Sequence, residues 1–456
     1  MDAVSAVDAW IEATQIYDDI PGISVGVVVD QEVVFTKGYG YANRRRKSEA
    51  SADTIYSVCS ISKLFTSIAV MQMRDAGKLT LRDPISDHLS WVNIKQKHLE
   101  AGPARVLGLL THSSGLPRES DFNYWRDDFP FPDRQSMINR LADQETLYPA
   151  DSLFQYSNLG LTLAGEIVAA HAQTSYEDYV QNAILAPLGL GDTRPYLPRN
   201  LHGKQMAIGY SGKFRDRKRT PVKPFDTQVI AAAAGYTSSV NDLARFASWQ
   251  FRTLKGEDNS VLSGNTLREM HRVHWVDPDW KTSWGIGFNV RNHDGTTVVG
   301  HSGGCPGYIT NFSMVPKLKL AVIALTNASD GPAVGITTGM LNTIGPAVKK
   351  ASKAKSTEGK QESGPIERPD LSEYEGNYGG TVWGREAALR QWGDKLVVLR
   401  LPARTLDTGM KLKQVEGDTF IRLTKDGEER ERWNFARDDA GRVTGFTRHS
   451  MFTPKL

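Results

Sequence analysis

The chain has 456 residues, of which 40% are hydrophobic and 9% aromatic, and its formal net charge is +3. That composition can fill sizeable cores in two to four domains of roughly 100–200 residues each, and it excludes a disordered chain. The near-balance of charge speaks against a nucleic-acid binder, and no apolar stretch nears the ~20 residues of a membrane-spanning helix.

Met1-Asp2-Ala3-Val4 opens the chain without a basic segment or an apolar run, so no signal peptide is expected. The expected location is cytoplasmic, or periplasmic or secreted if a leader has been removed. Residues 22–30 (GISVGVVVD) and 33–41 (VVFTKGYGY) read as strands joined by a turn at Gln31 and Glu32. The run Arg44-Arg45-Arg46-Lys47 follows. It reads as a solvated turn, with a patch for phosphate or carboxylate as the alternative. Residues 61–76 have helical spacing of apolar positions, and Gly77 is a natural stop. Pro-punctuated loops and helices fill residues 80–230, with helices expected at 159–171, 176–184 and then 239–252. The β-pattern returns at 285–291, 296–303, 309–315 and 319–326, and a helix is expected at 337–344. Cys59 and Cys305 make no disulfide framework and give no argument for an oxidising compartment.

This order predicts an α+β fold over residues 1–348, an antiparallel sheet flanked by helices with a mostly helical subdomain. Residues 349–369 read as a polar linker by composition. Residues 370–456 carry hairpin signals at Gly393-Asp394, Asp426-Gly427 and Ala440-Gly441, and predict a small β-barrel domain.

Three weak motifs acquire meaning from their order. Ser60-Ile61-Ser62-Lys63 puts a hydroxyl and an amine on one helical face. Lysine serves as a base once burial lowers its pKa. The same spacing recurs at Ser352-Lys353-Ala354-Lys355, inside the expected linker, and is set aside there. Tyr156-Ser157-Asn158 precedes a helix: the phenol can carry a proton beside an ammonium, and the amide can orient a lysine and a substrate carbonyl. Tyr41-Ala42-Asn43 repeats that pattern in the first hairpin. His301-Ser302-Gly303-Gly304 ends a strand whose edge can pair with an acyl chain, with the N–H groups of Ser60 and Gly304 as oxyanion donors.

In this order the motifs resemble the serine β-lactamase and penicillin-binding-protein-like hydrolase family, which includes class C β-lactamases, DD-peptidases, D-aminopeptidases and β-lactamase-fold esterases. The segments LLTHSSGLP at 109–117, GYTSS at 235–239 before Asp242, and Asn327 at a strand end carry the resemblance further, over residues 10–345. It implies Ser60 as nucleophile, Lys63 and Tyr156 as the proton-transfer pair, and Asn158, His301, Gly303 and Gly304 as site-lining groups. Tyr374-Glu375-Gly376-Asn377-Tyr378 opens a part similar to the lipocalin-like domain of some members. No metal or other cofactor is expected. The expected partner is a small-molecule or peptide substrate, with a homo-oligomer left open.

Four features of the sequence offer alternatives. Gly300-His301-Ser302-Gly303-Gly304 matches a nucleophile elbow, but that elbow needs a strand–turn–helix context. Cys59 beside Ser60 offers a second nucleophile, though packing explains it. His271 and His274 lack a third ligand, and His112 reads as structural. His301 stands where the family's K-T-G motif has lysine. Imidazole is mostly neutral near pH 7–8, which moves the expectation from β-lactam hydrolysis toward a D-stereospecific peptidase, amidase or esterase. An acyltransferase or peptide cyclase, a β-lactamase and a non-catalytic binding module remain as alternatives.

Overall fold

A computed structural model of the chain describes residues 2–216, 218–357, 368–380, 385–424 and 427–456. By its contacts the chain divides into two compact units, Pro21–Thr337 and Met1–Ile20 with Thr338–Leu456.

The larger unit holds an antiparallel sheet of nine strands: β1 (Gly22–Val29), β2 (Glu32–Asn43), β3 (Ser48–Glu49), and, beyond the two-stranded ladder of β4 (Tyr56–Ser57) with β5 (Thr237–Ser238), β6 (Trp275–Val276), β7 (Ser283–Trp284), β8 (Asn289–His293), β9 (Thr296–Cys305), β10 (Tyr308–Val315) and β11 (Leu320–Thr326). Their order is β3-β2-β1-β11-β10-β9-β8-β7-β6, so strands from the two ends of the unit meet where β1 pairs with β11. Both central strands are apolar runs, GISVGVVV and LAVIALT, and both are buried nearly throughout, as strands covered on two faces must be. Asn327, just past β11, binds the carbonyls of Tyr41, Ala42 and Ile208 through one amide nitrogen.

Helices α2 (Ser62–Asp75) to α9 cover the sheet and build the helical subdomain; α1 (Asp2–Tyr17) belongs to the other unit. They include α3 (Val106–Thr111), α4 (Arg134–Leu141), α5 (Asn158–Ala172), α6 (Tyr176–Val180), α7 (Ala231–Ala234), α8 (Val240–Lys255) and α9 (Gly264–His271). Gly26 lets α8 lie close on β1, where a Cβ would come within 2.6 Å of Val240. Every residue from Ser62 to Met71 is buried, so α2 is the unit's central helix.

Local differences from the expected elements have physical causes. The strand expected from Gly285 starts only at Asn289, because Gly287 adopts φ +78° where a Cβ would strike Ser67. The helix expected at 176–184 is α6 followed by a wider turn, Gln181–Leu185. Residues 275–284, with no assigned structure from sequence, form the β6–β7 hairpin.

The second unit carries α1, the later part of α10 (Ala333–Thr357), and eight strands in sequential order: β12 (Gly376–Gly380), β13 (Arg385–Trp392), β14 (Lys395–Leu401), β15 (Lys411–Glu416), β16 (Thr419–Leu423), β17 (Glu429–Arg437), β18 (Val443–Arg448) and β19 (Met451–Pro454). A bridge between Tyr378 and Lys455 brings the ends together into a nearly closed barrel. Aromatic rings of Tyr374, Tyr378, Phe420, Trp433, Phe435 and Phe446 fill it. Residues 1–20, expected with the hydrolase domain, group by their contacts with the second unit, where the Trp10 indole donates to Ala403 O. The expected linker is corrected in its first part: residues 349–357 continue α10, and Ser352 binds Val348 O as a helical residue. The second S-x-x-K therefore lies on a helix, not in an unstructured tract. The rest of the expected polar tract, 358–367, and Asp426 of one expected turn lie outside the described residues.

A larger correction concerns the cysteines. Cys59 and Cys305 form a disulfide with their Cα atoms 5.9 Å apart. A sequence separation of 246 residues carries no spacing signal, and only the passage of β9 beside the turn at residue 59 creates the pair. In the chain-entropy account a loop of this length is worth about 5 kcal/mol, with engineered cases often giving less. Denatured but unreduced protein should therefore show no free thiol toward Ellman's reagent, and Cys305→Ser should lower the thermal midpoint. Two reactive thiols in the untreated protein would refute the pairing.

Candidate active site

The site begins with a turn. Residues 59–61 form a 3-10 turn ahead of α2, and Cys59 holds φ +49°. This turn, rather than the helix proper, carries Ser60. Lys63 follows in the first turn of α2 and is only 1% exposed. Its Nζ lies 2.8 Å from Asn158 Oδ1, 2.8 Å from Ala233 O and 3.1 Å from Ser60 Oγ. Burial drives the Lys63 pKa well below its ordinary value; Glu119 opposes that shift and Arg118 adds to it. A neutral amine has two N–H donors and one lone pair. The two pure acceptors, an amide oxygen and the carbonyl of a short helix, take the donors. In that state the lone pair is left for the Ser60 hydroxyl, whereas an ammonium donates to it.

Tyr156 and Asn158 arrive together at the start of α5, which Ser157 caps by accepting from Gly160 N. The loop after α3 is stitched to this start. His112 Nδ1 accepts from Ser157 N at 3.1 Å, Ser157 Oγ donates to Pro117 O, and Asn158 N donates to Arg118 O. His112 is buried, its ring lies 4.2 Å from that of Tyr156, and burial holds its pKa well down. The Tyr156 hydroxyl bonds the Ser60 side chain, and burial raises its pKa well above that of a free phenol. Lys63 Nζ and the Arg118 guanidinium lie 4.8 and 5.0 Å from the ring centre.

Sequence reasoning missed Glu119. One oxygen accepts from Asn158 Nδ2 at 2.7 Å and from Trp125 Nε1 at 3.3 Å; the other accepts from Tyr124. A carboxylate only accepts, so it forces the Asn158 amide nitrogen outward and its oxygen onto Lys63. The one available signal was position: Arg118-Glu119 directly follows the LLTHSSGLP segment.

The third wall is β9. Its pairing with β8 ends at Gly300, so residues 301–305 present a strand edge with no neighbour on that side. Gly303 lets this edge touch the nucleophile turn: a Cβ there would fall 2.1 Å from Val58 O. Gly304 is exposed, and a Cβ there would meet only the Ile309 side chain, at 3.4 Å. His301 is 4% exposed, and its Nδ1 lies 2.5 Å from Ser302 O. A carbonyl accepts, so Nδ1 carries the proton. Burial first, then Lys63, pushes the His301 pKa down to about 3. Its Nε2 is therefore a lone-pair acceptor, and it is buried without a partner. Tyr156, 6.2 Å away between ring centres, and Trp284, at 5.5 Å, flank it.

The other candidates lie elsewhere. Ser302 sits within an antiparallel strand that runs into β10, which is no strand–turn–helix elbow. Cys59 is in the disulfide and cannot act as a thiolate. His271 bonds Gln250 and His274 bonds Glu269 O.

The Glu119 carboxylate stabilises a charged Lys63. Replacing it by an amide of equal size removes that contribution while keeping an acceptor for Asn158. Glu119→Gln should therefore move the acid limb of the kcat/KM profile to lower pH. An unmoved limb, or one shifted upward, would contradict this coupling.

The curated protein flp of Staphylococcus aureus is 27% identical over 342 residues, covering 72% of this chain and 63% of that protein; the match thus spans less than two thirds of the relative. The octameric penicillin-binding protein homologue from Pyrococcus abyssi superposes with a TM-score of 0.67 at 26% identity, covering all of both chains. A D-stereospecific amidohydrolase from Streptomyces superposes with a TM-score of 0.59 at 22% identity over 71% of this chain and 94% of its own. The family model described as Beta-lactamase matches residues 7–342, and the chain belongs to the β-lactamase family.

Proposed function

We propose that this chain is a serine hydrolase that forms an acyl-enzyme on Ser60, acting as a D-stereospecific peptidase or amidase, or as an esterase. The observation that carries the proposal is the bonding of Lys63: its Nζ stands within hydrogen-bond reach of Ser60 Oγ, Asn158 Oδ1 and Ala233 O, so that once deprotonated it can keep its two donors on the pure acceptors and turn its lone pair to the Ser60 hydroxyl. Lys63 takes the Ser60 proton as Oγ attacks the substrate carbonyl carbon. The oxyanion faces the N–H groups of Ser60 and Gly304. Tyr156, kept as a neutral phenol by burial, gives its proton to the leaving nitrogen or oxygen as the C–N or C–O bond breaks. The ammonium of Lys63 stabilises the resulting phenolate and restores its proton. Water, or an amine, then attacks the acyl-enzyme by the same steps in reverse.

His301 supports a leaving group without a carboxylate. A lone-pair acceptor does not hold an anion, whereas an ammonium at this position would. The D-stereochemistry rests on the resemblance to H-x-G family members and on the description of the Streptomyces neighbour. The octameric description of the Pyrococcus neighbour supports a homo-oligomer. Among the described residues no helix is long and apolar enough to cross a membrane, and the disulfide favours an oxidising compartment over a reducing cytoplasm.

Two experiments test the proposal. Ser60→Ala should abolish turnover of p-nitrophenyl esters and D-amino-acid anilides, and mass spectrometry should place an active-ester adduct on the peptide containing Ser60. An adduct on Ser302, or full activity in Ser60→Ala, would end the assignment. His301→Lys should raise acylation by nitrocefin, relative to a neutral ester, by about tenfold to a hundredfold, the worth of one charge-assisted hydrogen bond. An unchanged ratio would remove His301 from leaving-group selection.

A further inference from the structure

The basic run at 44–47 plays no part in the site, and the fold gives it company. Tyr210 is the junction. Its hydroxyl accepts from Arg44 N at 2.9 Å, and the Arg44 guanidinium lies 5.9 Å from its ring centre. Tyr210 also begins a hairpin-like loop: it bridges Pro221, and Ser211 N donates to Thr220 O. Asp330 anchors this loop at both ends, accepting from Lys213 N and pairing with Arg219. The segment between the anchors reads Phe214-Arg215-Asp216-Arg217-Lys218.

Two basic tips thus rise from one tyrosine. Residues 44–47 contribute +4 and the described residues between 211 and 223 contribute +4, although the whole chain carries only +3. The remainder of the chain is therefore net acidic, and the positive charge is concentrated here. Arg45, Arg46, Lys47, Arg215 and Lys218 are exposed and have no salt-bridge partner among the described residues. Phe214 stands among these cations and is 68% exposed.

We propose that these two tips form a peripheral docking surface for an anionic lipid bilayer, with the cations on the headgroups and Phe214 in the interface. Charge complementarity selects an anionic partner. The exposed aromatic selects a bilayer among anionic partners, because a ring flanked by cations is the pattern of an interfacial anchor. Exposed loop tips suit a broad surface rather than an enclosed small ligand. The inference does not depend on the chemistry at Ser60.

Vesicle co-sedimentation of the full chain tests it. The protein should bind vesicles of equal parts phosphatidylcholine and phosphatidylglycerol, release with added salt, and ignore phosphatidylcholine alone. Each lost cation should weaken partitioning about fivefold. The triple variants Arg45→Gln/Arg46→Gln/Lys47→Gln and Lys213→Gln/Arg215→Gln/Lys218→Gln should then each fall about a hundredfold. Phe214→Ser should weaken vesicle binding without changing binding to a soluble polyanion such as heparin or single-stranded DNA. Thermal melting of each variant controls for folding. No binding to the anionic vesicles, equal binding by folded triple variants, or an unchanged Phe214→Ser would each overturn the proposal. So would binding to DNA as strong as to vesicles, which would reassign the patch to nucleic acid.

Discussion

The buried amine of Lys63 sets the terms for the rest of the larger unit. A lysine at 1% exposure cannot stay charged cheaply, and an unsatisfied buried N–H is costly in its own right. The fold answers both demands by burying α2 on all sides and supplying matched partners. Ala233 O comes from the end of the four-residue α7, where helix carbonyls lack intrahelical donors. Thr66, one turn further along α2, takes Ala232 O from the same stub and shares its hydroxyl with Tyr176. The polar face of α2 is thus a sequence of bonds to α5, α6 and α7 rather than a solvated face. Its register on those helices fixes where the Lys63 lone pair points.

A second tier of residues keeps that register. Glu119 touches neither Ser60 nor Lys63 directly, yet it decides which end of the Asn158 amide meets the amine. Tyr124 and Trp125 in turn hold Glu119, and Trp125 belongs to an aromatic cluster with Phe131 and Phe225. The chemistry at Lys63 is therefore coupled through a chain of hydrogen bonds to apolar packing in the helical subdomain. The disulfide acts on the opposite wall. It joins the residue before Ser60 to the end of β9, so the turn that carries Ser60 and the edge of β9 beside it cannot separate.

What sequence could reveal follows the range of the interaction. Strands β1, β2, β9, β10 and β11 were legible because alternation and apolar runs are local. Ser60, Lys63, Tyr156, Asn158 and His301 were legible as types in a known order. Where the structure gathers them, they stand within bonding or ring-contact distance around Ser60. The misses are the long-range ones. Glu119 has no motif, and its role exists only because a loop and α5 are stitched together through His112, Pro117 and Arg118. Cys59 and Cys305 pair only across a sheet. The helix α1 was not assigned, since its residues Ala3, Ala6 and Ala9 give a weak apolar stripe, and Trp10 finds its indole partner at Ala403, 393 residues away. Composition also misled at residues 349–357: lysine, alanine and serine read as a polar tract, yet alanine and lysine are good helix formers, and α10 runs through them.

His301 shows how a single tautomer can direct specificity. The strand turns its Nδ1 onto the carbonyl of the next residue, which spends the one proton of a neutral imidazole on the backbone. The nitrogen that faces the cleft wall is then an acceptor by necessity, and a buried acceptor with no partner is unfavourable. A substrate that brings an N–H or O–H to that atom relieves the deficit, whereas one that brings a carboxylate places a second acceptor against the first. Protonation would reverse the preference, but burial and the nearby Lys63 oppose a second proton on the ring. The same burial that lowers the Lys63 pKa therefore lowers that of His301. In the proposed mechanism the activation of Ser60 and the selection against anionic leaving groups would share that one cause.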